Sequence, residues 1–320
     1  ENGGKPIVVY ANTKGIVKGL DAKTGKVLWE FATQGKIFST PAIAGGTVVV
    51  GSCDTYMYAL NLKSGQLKWK YKCDKSVLGA PVIFNGKVFF GASDGSFRAL
   101  NLSNGSLAWR YGKIKGFIEA RPYVDNYQVV IGDWANTLYS MSTATGKLQW
   151  TWSTEGSRML SPAAVYPVKV DNNIIIVTPE RYSYYIDSKT GQTIWKEYGG
   201  RESLGVSPDK SMYFVKLMKD EVWAFSTKSK FPARVWTANL GFGYEIAPTE
   251  MTTVSGIGKS GKGLLFVPTD KGNIFAVNIA DGSLKWKHKV SFALINQILP
   301  IGKDRVLVTT MDGVVAMIKY

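Results

Sequence analysis

The chain has a single histidine, His288, so no site built on several histidines can exist and any histidine-dependent triad must use that one residue. It has two cysteines, Cys53 and Cys73, too few for a disulfide framework. No apolar run reaches the 18 or more residues of a membrane-spanning helix. No block of acidic or basic residues occurs, and charged residues make up only 20% of the chain. With 45% hydrophobic residues the sequence can bury a large core, which excludes a disordered class. Acids are the scarcer sign: 24 Asp and Glu against 39 Lys and Arg, a formal net charge of +15. The excess is spread along the chain. It therefore reads as a solvated basic surface, with no module that would recognise nucleic acid.

What the sequence has in quantity is repetition. "LDAKTGKVLW" ends at Trp29 and "LNLKSGQLKW" at Trp69. The closing tryptophan recurs at Trp109, Trp150, Trp195, Trp236 and Trp286, at intervals of 40, 40, 41, 45, 41 and 50 residues. A glycine stands four residues earlier at Gly25, Gly65, Gly105, Gly146, Gly191 and Gly282, and only the unit "FSTKSKFPARVW" lacks it. A proline keeps the same period at Pro41, Pro81, Pro122, Pro162, Pro208, Pro248 and Pro300, and is expected to precede or begin a strand, where it removes no ladder bond. Between these markers run short strand-like segments. Asn85-Gly86, Asp94-Gly95 and Asn104-Gly105 separate them with the positive φ angles of tight hairpins.

Each unit thus reads as a four-stranded antiparallel sheet that cannot bury both faces alone. Sheets stacked radially cover one another, which predicts an all-β, eight-bladed β-propeller with seven blades as the alternative count. The seven repeat tryptophans are expected to fill the seams between blades. With strands lettered A to D from the hub outward, the B–C hairpin occurs eight times, whereas A and D each occur seven times. The chain is expected to be one propeller over residues 1–320, lacking one N-terminal D–A strand pair. Glu1-Asn2-Gly3-Gly4 has neither the basic stretch nor the apolar run of a signal peptide, as expected of a trimmed chain.

The motifs "LDAKTGKVLW", "LNLKSGQLKW" and "VNIADGSLKW", preceded by "GSCDTYMYA", "GASDGSFRA" and "PTDKGNIFA", resemble the PQQ-like repeat of quinoprotein-type propellers. That family includes pyrroloquinoline quinone dehydrogenases and non-catalytic, BamB-like propellers of outer-membrane barrel assembly. The dehydrogenases use a stacked tryptophan, a calcium or lanthanide ion bound by carboxylate and amide side chains, and a catalytic aspartate, and many add a disulfide between adjacent cysteines. This sequence has no adjacent cysteine pair and no channel-lining tryptophan, so no cofactor, metal or catalytic residue is assigned. Glu119 and Asn296 each offer an oxygen, short of a full shell. The resemblance implies an extracytoplasmic binding scaffold of a bacterial-type envelope, in the periplasm or at the cell surface. Its partner would be another protein or a polar polymer. Any membrane association would come through an N-terminal anchor outside this sequence. A quinone-dependent dehydrogenase and the C-terminal accessory domain of a larger enzyme are the alternatives.

The B–C turns and D–A loops fall on one face, where residues near the channel entry of strand A and aromatic residues that break the repeat form the candidate partner face. They are Glu119, Arg121, Trp134, Arg158, Arg201, Glu202, Phe242, Tyr244, Glu245, Asn296 and Gln297. Cys53 in a B–C turn and Cys73 after the D strand of the same blade point to that face, so a disulfide between them is open to test. Gly256 to Lys262 fits the G-x-x-x-x-G-K phosphate loop. Gly263 stands where its hydroxyl would be and no helix is expected to follow, so the stretch reads as a mobile A–B loop.

Overall fold

A computed structural model describes residues 6–154, 166–200, 203–229, 231–245 and 249–320. The protein is an all-β, eight-bladed β-propeller, and among the described residues six of its eight sheets have four antiparallel strands. The chain divides into two compact units, Glu1–Ala163 with blades 1–4 and Ala164–Tyr320 with blades 5–8. Blade 1 holds strands B, C and D (Ile7–Ala11, Ile16–Asp21, Val27–Ala32), and blade 8 holds A, B and C (Ile295–Ile301, Arg305–Thr310, Val315–Lys319). The hairpin count read from the sequence is therefore eight, and seven blades are excluded.

Blade 2 shows why these residues make these strands. Its A, B, C and D strands are Ala42–Ala44, Thr47–Gly51, Tyr56–Asn61 and Leu67–Lys72. Strand B is buried at every position because both of its faces meet a neighbouring blade. Val48 and Val50 pack with Val17, Trp29 and Ile37 in the seam to blade 1. Val49 points the other way and packs with Trp69, Val88 and Phe90 in the seam to blade 3. Strand D buries mainly its tryptophan, while Lys68 and Lys70 face solvent. A lysine-studded outer edge discourages pairing with a second sheet.

The tryptophans occupy the seams. Trp29, Trp69, Trp109 and Trp150 are buried; Trp195, Trp236 and Trp286 are half-buried. Each fully buried aromatic contributes roughly 2–3 kcal/mol from area alone. The ring also makes a directed bond across the seam. The indole N–H of Trp29 donates to the Leu62 carbonyl at 2.8 Å, that of Trp69 to Leu102 at 2.8 Å and that of Trp109 to Thr143 at 2.9 Å. In unit 2, Trp236 donates to Ile279 at 3.0 Å, whereas the buried Trp286 indole nitrogen has no hydrogen-bond partner among the described residues.

Two proline positions differ from expectation. Pro208 follows the A strand of blade 6 (Leu204–Val206), and Pro300 lies within that of blade 8. Strand A is an inner edge, so a missing N–H on its unpaired side costs no ladder bond. Pro162 and Pro248 lie outside the described residues. The stretch from Ser255 to Gly263 is indeed the A–B connection of blade 7, with one short 3-10 turn, Lys259–Gly261, and no helix after it.

Candidate functional site

The loop face of unit 1 is held by one acid at the B–C turn of each of blades 2, 3 and 4. Asp54 accepts the Tyr56 N–H within its own turn at 3.1 Å and the Gln34 N–H of the preceding D–A loop at 2.8 Å. Asp94 does the same with Ser96 at 3.0 Å and Asp74 at 3.2 Å. Asp133 does so with Thr137 at 2.9 Å and Gly116 at 2.8 Å. A C-strand side chain completes each set: Tyr58 Oη at 2.7 Å, the Arg98 guanidinium, and Tyr139 Oη at 3.1 Å. Each loop is thereby fixed to the turn of the next blade, which gives a rigid frame for exposed residues.

The electrostatics follow from that burial. Burial, then the Asp133 carboxylate, raises the Tyr139 phenol to about 12. Arg98 and Asp94 form a buried two-bond pair, Nη1 to Oδ1 at 3.0 Å and Nη2 to Oδ2 at 2.5 Å. Burial alone would lift the Asp94 carboxyl, but the Arg98 bonds outweigh it and hold the acid below its ordinary value. Sequence reasoning passes over these turn acids, although "GSCD", "GASD" and "GDWA" repeat them in period.

On this frame the D–A loops present alternate residues. Ile37, Ser39, Val77, Gly79, Ile118 and Ala120 point inward, leaving Phe38, Leu78 and Glu119, and then Thr40, Ala80 and Arg121, at least partly open to solvent. Phe38 is 60% exposed and Phe117 42%. Trp134 stacks on Phe117 with ring centroids 5.5 Å apart, and its indole N–H donates to Glu119 Oε2 at 2.9 Å. Glu119 and Trp134 thus meet in one cluster, while Arg121 is exposed on the same loop. An aromatic plate with an acid at its rim suits an apolar or aromatic side chain beside a cation, as on a peptide segment.

The unit 2 residues behave differently. Tyr244 and Asn296 are exposed and Gln297 is half-buried. Phe242 belongs to the core, not the surface: it is buried edge-on against Phe275, centroids 6.0 Å apart. Glu245 is likewise buried, and its Oε2 accepts from Lys216 Nζ at 2.8 Å and from the Asp270 N–H at 3.3 Å. Lys216 also donates to the Pro268 carbonyl at 2.8 Å. It ends the apolar run Tyr213-Phe214-Val215, and nothing local in the sequence marks it as a buried ion. Burial lowers the Lys216 ammonium and raises the Glu245 carboxyl, each opposed by the other's charge. Arg158, Arg201 and Glu202 lie outside the described residues. Cys53 and Cys73 are both free thiols here. Burial raises Cys53 and lifts the more deeply buried Cys73 to about 12. Among the described residues, no three His, Cys, Asp or Glu side chains gather into a metal-binding group.

Repeated four-stranded sheets, each ended by a seam tryptophan and all but one of them by a glycine turn before it, define a β-propeller of PQQ-like repeats. The chain belongs to the family described as "Outer membrane protein assembly factor BamB", which matches residues 13–237 and 232–319. Among solved structures it is similar to BamB from Moraxella catarrhalis, with 19% identity, a TM-score of 0.77, and 98% of this chain and 94% of that one covered. The computationally designed Ika8 protein is similar at 17% identity and a TM-score of 0.82, covering 99% and 94%. A quinohemoprotein alcohol dehydrogenase from Pseudomonas putida HK5 is similar at 13% identity and a TM-score of 0.70, covering 96% of this chain and 69% of its own. At these identities the likenesses show the fold. No curated protein sequence matches the chain.

Proposed function

We propose that the protein is a non-catalytic, extracytoplasmic scaffold that holds a protein partner on the loop face of unit 1. The observation that carries this reading is the solvent-open plate of Phe117 and Trp134, with Glu119 bonded to the indole and Phe38 exposed on a neighbouring D–A loop. Its supporting loops are tied down by Asp54, Asp94 and Asp133, so little ordering is needed when a partner docks. The family description supports a bacterial envelope setting and a protein partner. A polar polymer is the second ligand class, favoured only by the Glu119 and Arg121 pair on the same loop.

A photo-crosslinking residue at Phe117, used in envelope extract, tests the site. The same residue at Tyr127, in the A–B turn of that blade, is the control. The reading expects one partner band at Phe117 that Trp134→Ala abolishes and that Tyr127 does not give. Equal bands at both positions would refute it. The enzyme alternative is tested separately with pyrroloquinoline quinone and calcium: a thermal shift with dye reduction on alcohols or sugars would establish a dehydrogenase. Purification within a longer polypeptide carrying its own activity would establish the accessory-domain alternative.

A further inference from the structure

We infer that the outer edge of blade 2 takes up an extended acidic segment of a partner protein as an added β-strand. The inference does not rest on the loop-face reading, because the residues that carry it lie on a strand and not in the loops. The first observation is the placing of charge in unit 1. Residues 6–116, which span blades 1–3, hold 15 Lys and Arg against five Asp and Glu. With every acid counted, two-thirds of the chain's net charge of +15 lies in about a third of its length.

The second is the D strand of blade 2, Leu67–Lys72. Trp69 and Tyr71 turn into the seam with blade 3, which puts Lys70 and Lys72 together on the opposite face, both exposed and about 7 Å apart. Neither meets a carboxylate at ion-pair distance among the described residues. The strand C residues opposite them are Tyr58 and Tyr56, and Lys70 Nζ lies 4.6 Å from the Tyr56 ring centroid. Lys68 is drawn aside to the Thr47 hydroxyl at 2.6 Å. The other outer strands of unit 1 differ. That of blade 1 carries Glu30, Arg110 in that of blade 3 is bonded to Ser96 and lies 3.5 Å from Asp74, and that of blade 4 has no charge. Blade 7 in unit 2 repeats the spacing at Lys287 and Lys289, but Lys289 Nζ is turned onto the Lys271 carbonyl.

The third is the main chain. This strand is the last of its sheet. The Cys73 N–H donates to the Thr55 carbonyl at 2.8 Å, so residues 55 and 73 are a bonded pair. Bonded and non-bonded pairs alternate along an antiparallel ladder, and the main-chain groups of Lys70 and Lys72 therefore point away from the sheet. Ammonium groups and outward ladder groups thus occur at the same two residues. A strand added here sets a side chain directly opposite each lysine on the same face, so carboxylates at alternate positions meet both. A second copy of this edge would put lysines against lysines, which is unfavourable. Phosphate polymers and lipid headgroups satisfy the ammonium groups alone.

Two peptides of one composition test this. One alternates glutamate with threonine, and the other gathers its glutamates into a block. We expect the alternating peptide to bind at least ~5-fold more tightly and to slow amide exchange over Leu67–Lys72. Lys70→Gln/Lys72→Gln should weaken it at least ~5-fold. Lys23→Gln/Lys63→Gln removes the same charge from two C–D turns of the same basic region and should change binding less than ~2-fold. Lys70→Pro and Lys70→Gln lose the same charge, but only proline loses the outward N–H, so the proline variant should bind more weakly. All replaced side chains are at the surface, and an unaltered melting curve confirms folding; the exchange pattern tests the main chain without any substitution. Equal binding of the two peptides, equal losses in the two lysine pairs, or no protection over Leu67–Lys72 would each overturn the inference. So would polyphosphate that binds as tightly as the alternating peptide, which would assign the edge to phosphate polymers.

Discussion

A Cβ built on Gly105 would stand 2.7 Å from the ring of Trp69 in the preceding blade. The same contact recurs from Gly65 to Trp29 at 2.6 Å and from Gly146 to Trp109 at 2.4 Å. At Gly65, Gly105 and Gly146 the glycine therefore answers two demands: a left-handed turn, φ 73° at Gly105, and a face flat enough for an indole.

Gly105→Ala should cost about 2–4 kcal/mol, the sum of a strained turn and a displaced ring. Gly86→Ala is the matched control, with φ 71° and open space around the missing Cβ, and should cost only about 1 kcal/mol. Urea midpoints of the two variants separate the terms. Equal losses would show that the ring contact contributes nothing.

The buried Arg98–Asp94 pair gives a pH signature. Asp94 titrates below its ordinary value in the folded protein, so its contribution is full above the unfolded carboxyl pKa of about 3.9 and is lost as pH falls through the folded value. Asp94→Asn should be less stable than wild type by about 3 kcal/mol at pH 7 because Arg98 is left buried without its counter-charge. The gap should begin to narrow as the pH drops below about 4, where the unfolded acid takes up a proton, and should close as the folded acid becomes neutral in turn. Chemical denaturation across that range checks it.

Lys216 and Glu245 make the opposite case. Lys216→Met alone should cost about 3–5 kcal/mol, because Glu245 stays buried and charged. Glu245 is already raised by burial, and losing the lysine raises it further. A raised folded value means stability that is present at low pH and lost as pH rises through it, so the variant should recover on acidification. Lys216→Met/Glu245→Leu should lie within about 1 kcal/mol of wild type. A double variant as weak as the single would show that the pair is needed for more than mutual neutralisation.

The thiols should label in order. Cys73 is buried with its thiol at about 12, and Cys53 is half-buried in a turn. Iodoacetamide near neutral pH should modify Cys53 in the folded protein and Cys73 only after unfolding, since the thiolate is the reactive form. Mass spectrometry counts the adducts. No reaction at either residue until a reductant is added would instead reveal a disulfide.

The architecture was legible because the repeat writes its own constraints. The Gly-x-x-x-Trp spacing marks the C–D turn and the seam, and the B–C hairpins can be counted from their turn residues alone. The proline marker succeeded at Pro41, Pro81 and Pro122 but not at Pro208 or Pro300, because an inner edge strand tolerates proline along much of its length. The site was only partly legible. Trp134 stood out as a break in the pattern and Glu119 as a charge near the channel entry, and they proved to be partners. Phe242 and Glu245 stood out equally, yet packing turned them inward against Phe275 and Lys216. A loop residue's direction depends on what the adjacent blade offers, and no single unit encodes that.

The tryptophan latch has a longer-range consequence. Trp29, Trp69, Trp109 and Trp236 all donate to main-chain carbonyls, so the receiving residue is free to be Leu62, Leu102, Thr143 or Ile279. A clasp blind to the side chain of its catch exerts no selection on that residue. Drift at half of each of these four joints is then unopposed, which lets lineages share this architecture while agreeing at fewer than one position in five, as this chain and the Moraxella protein do at 19%.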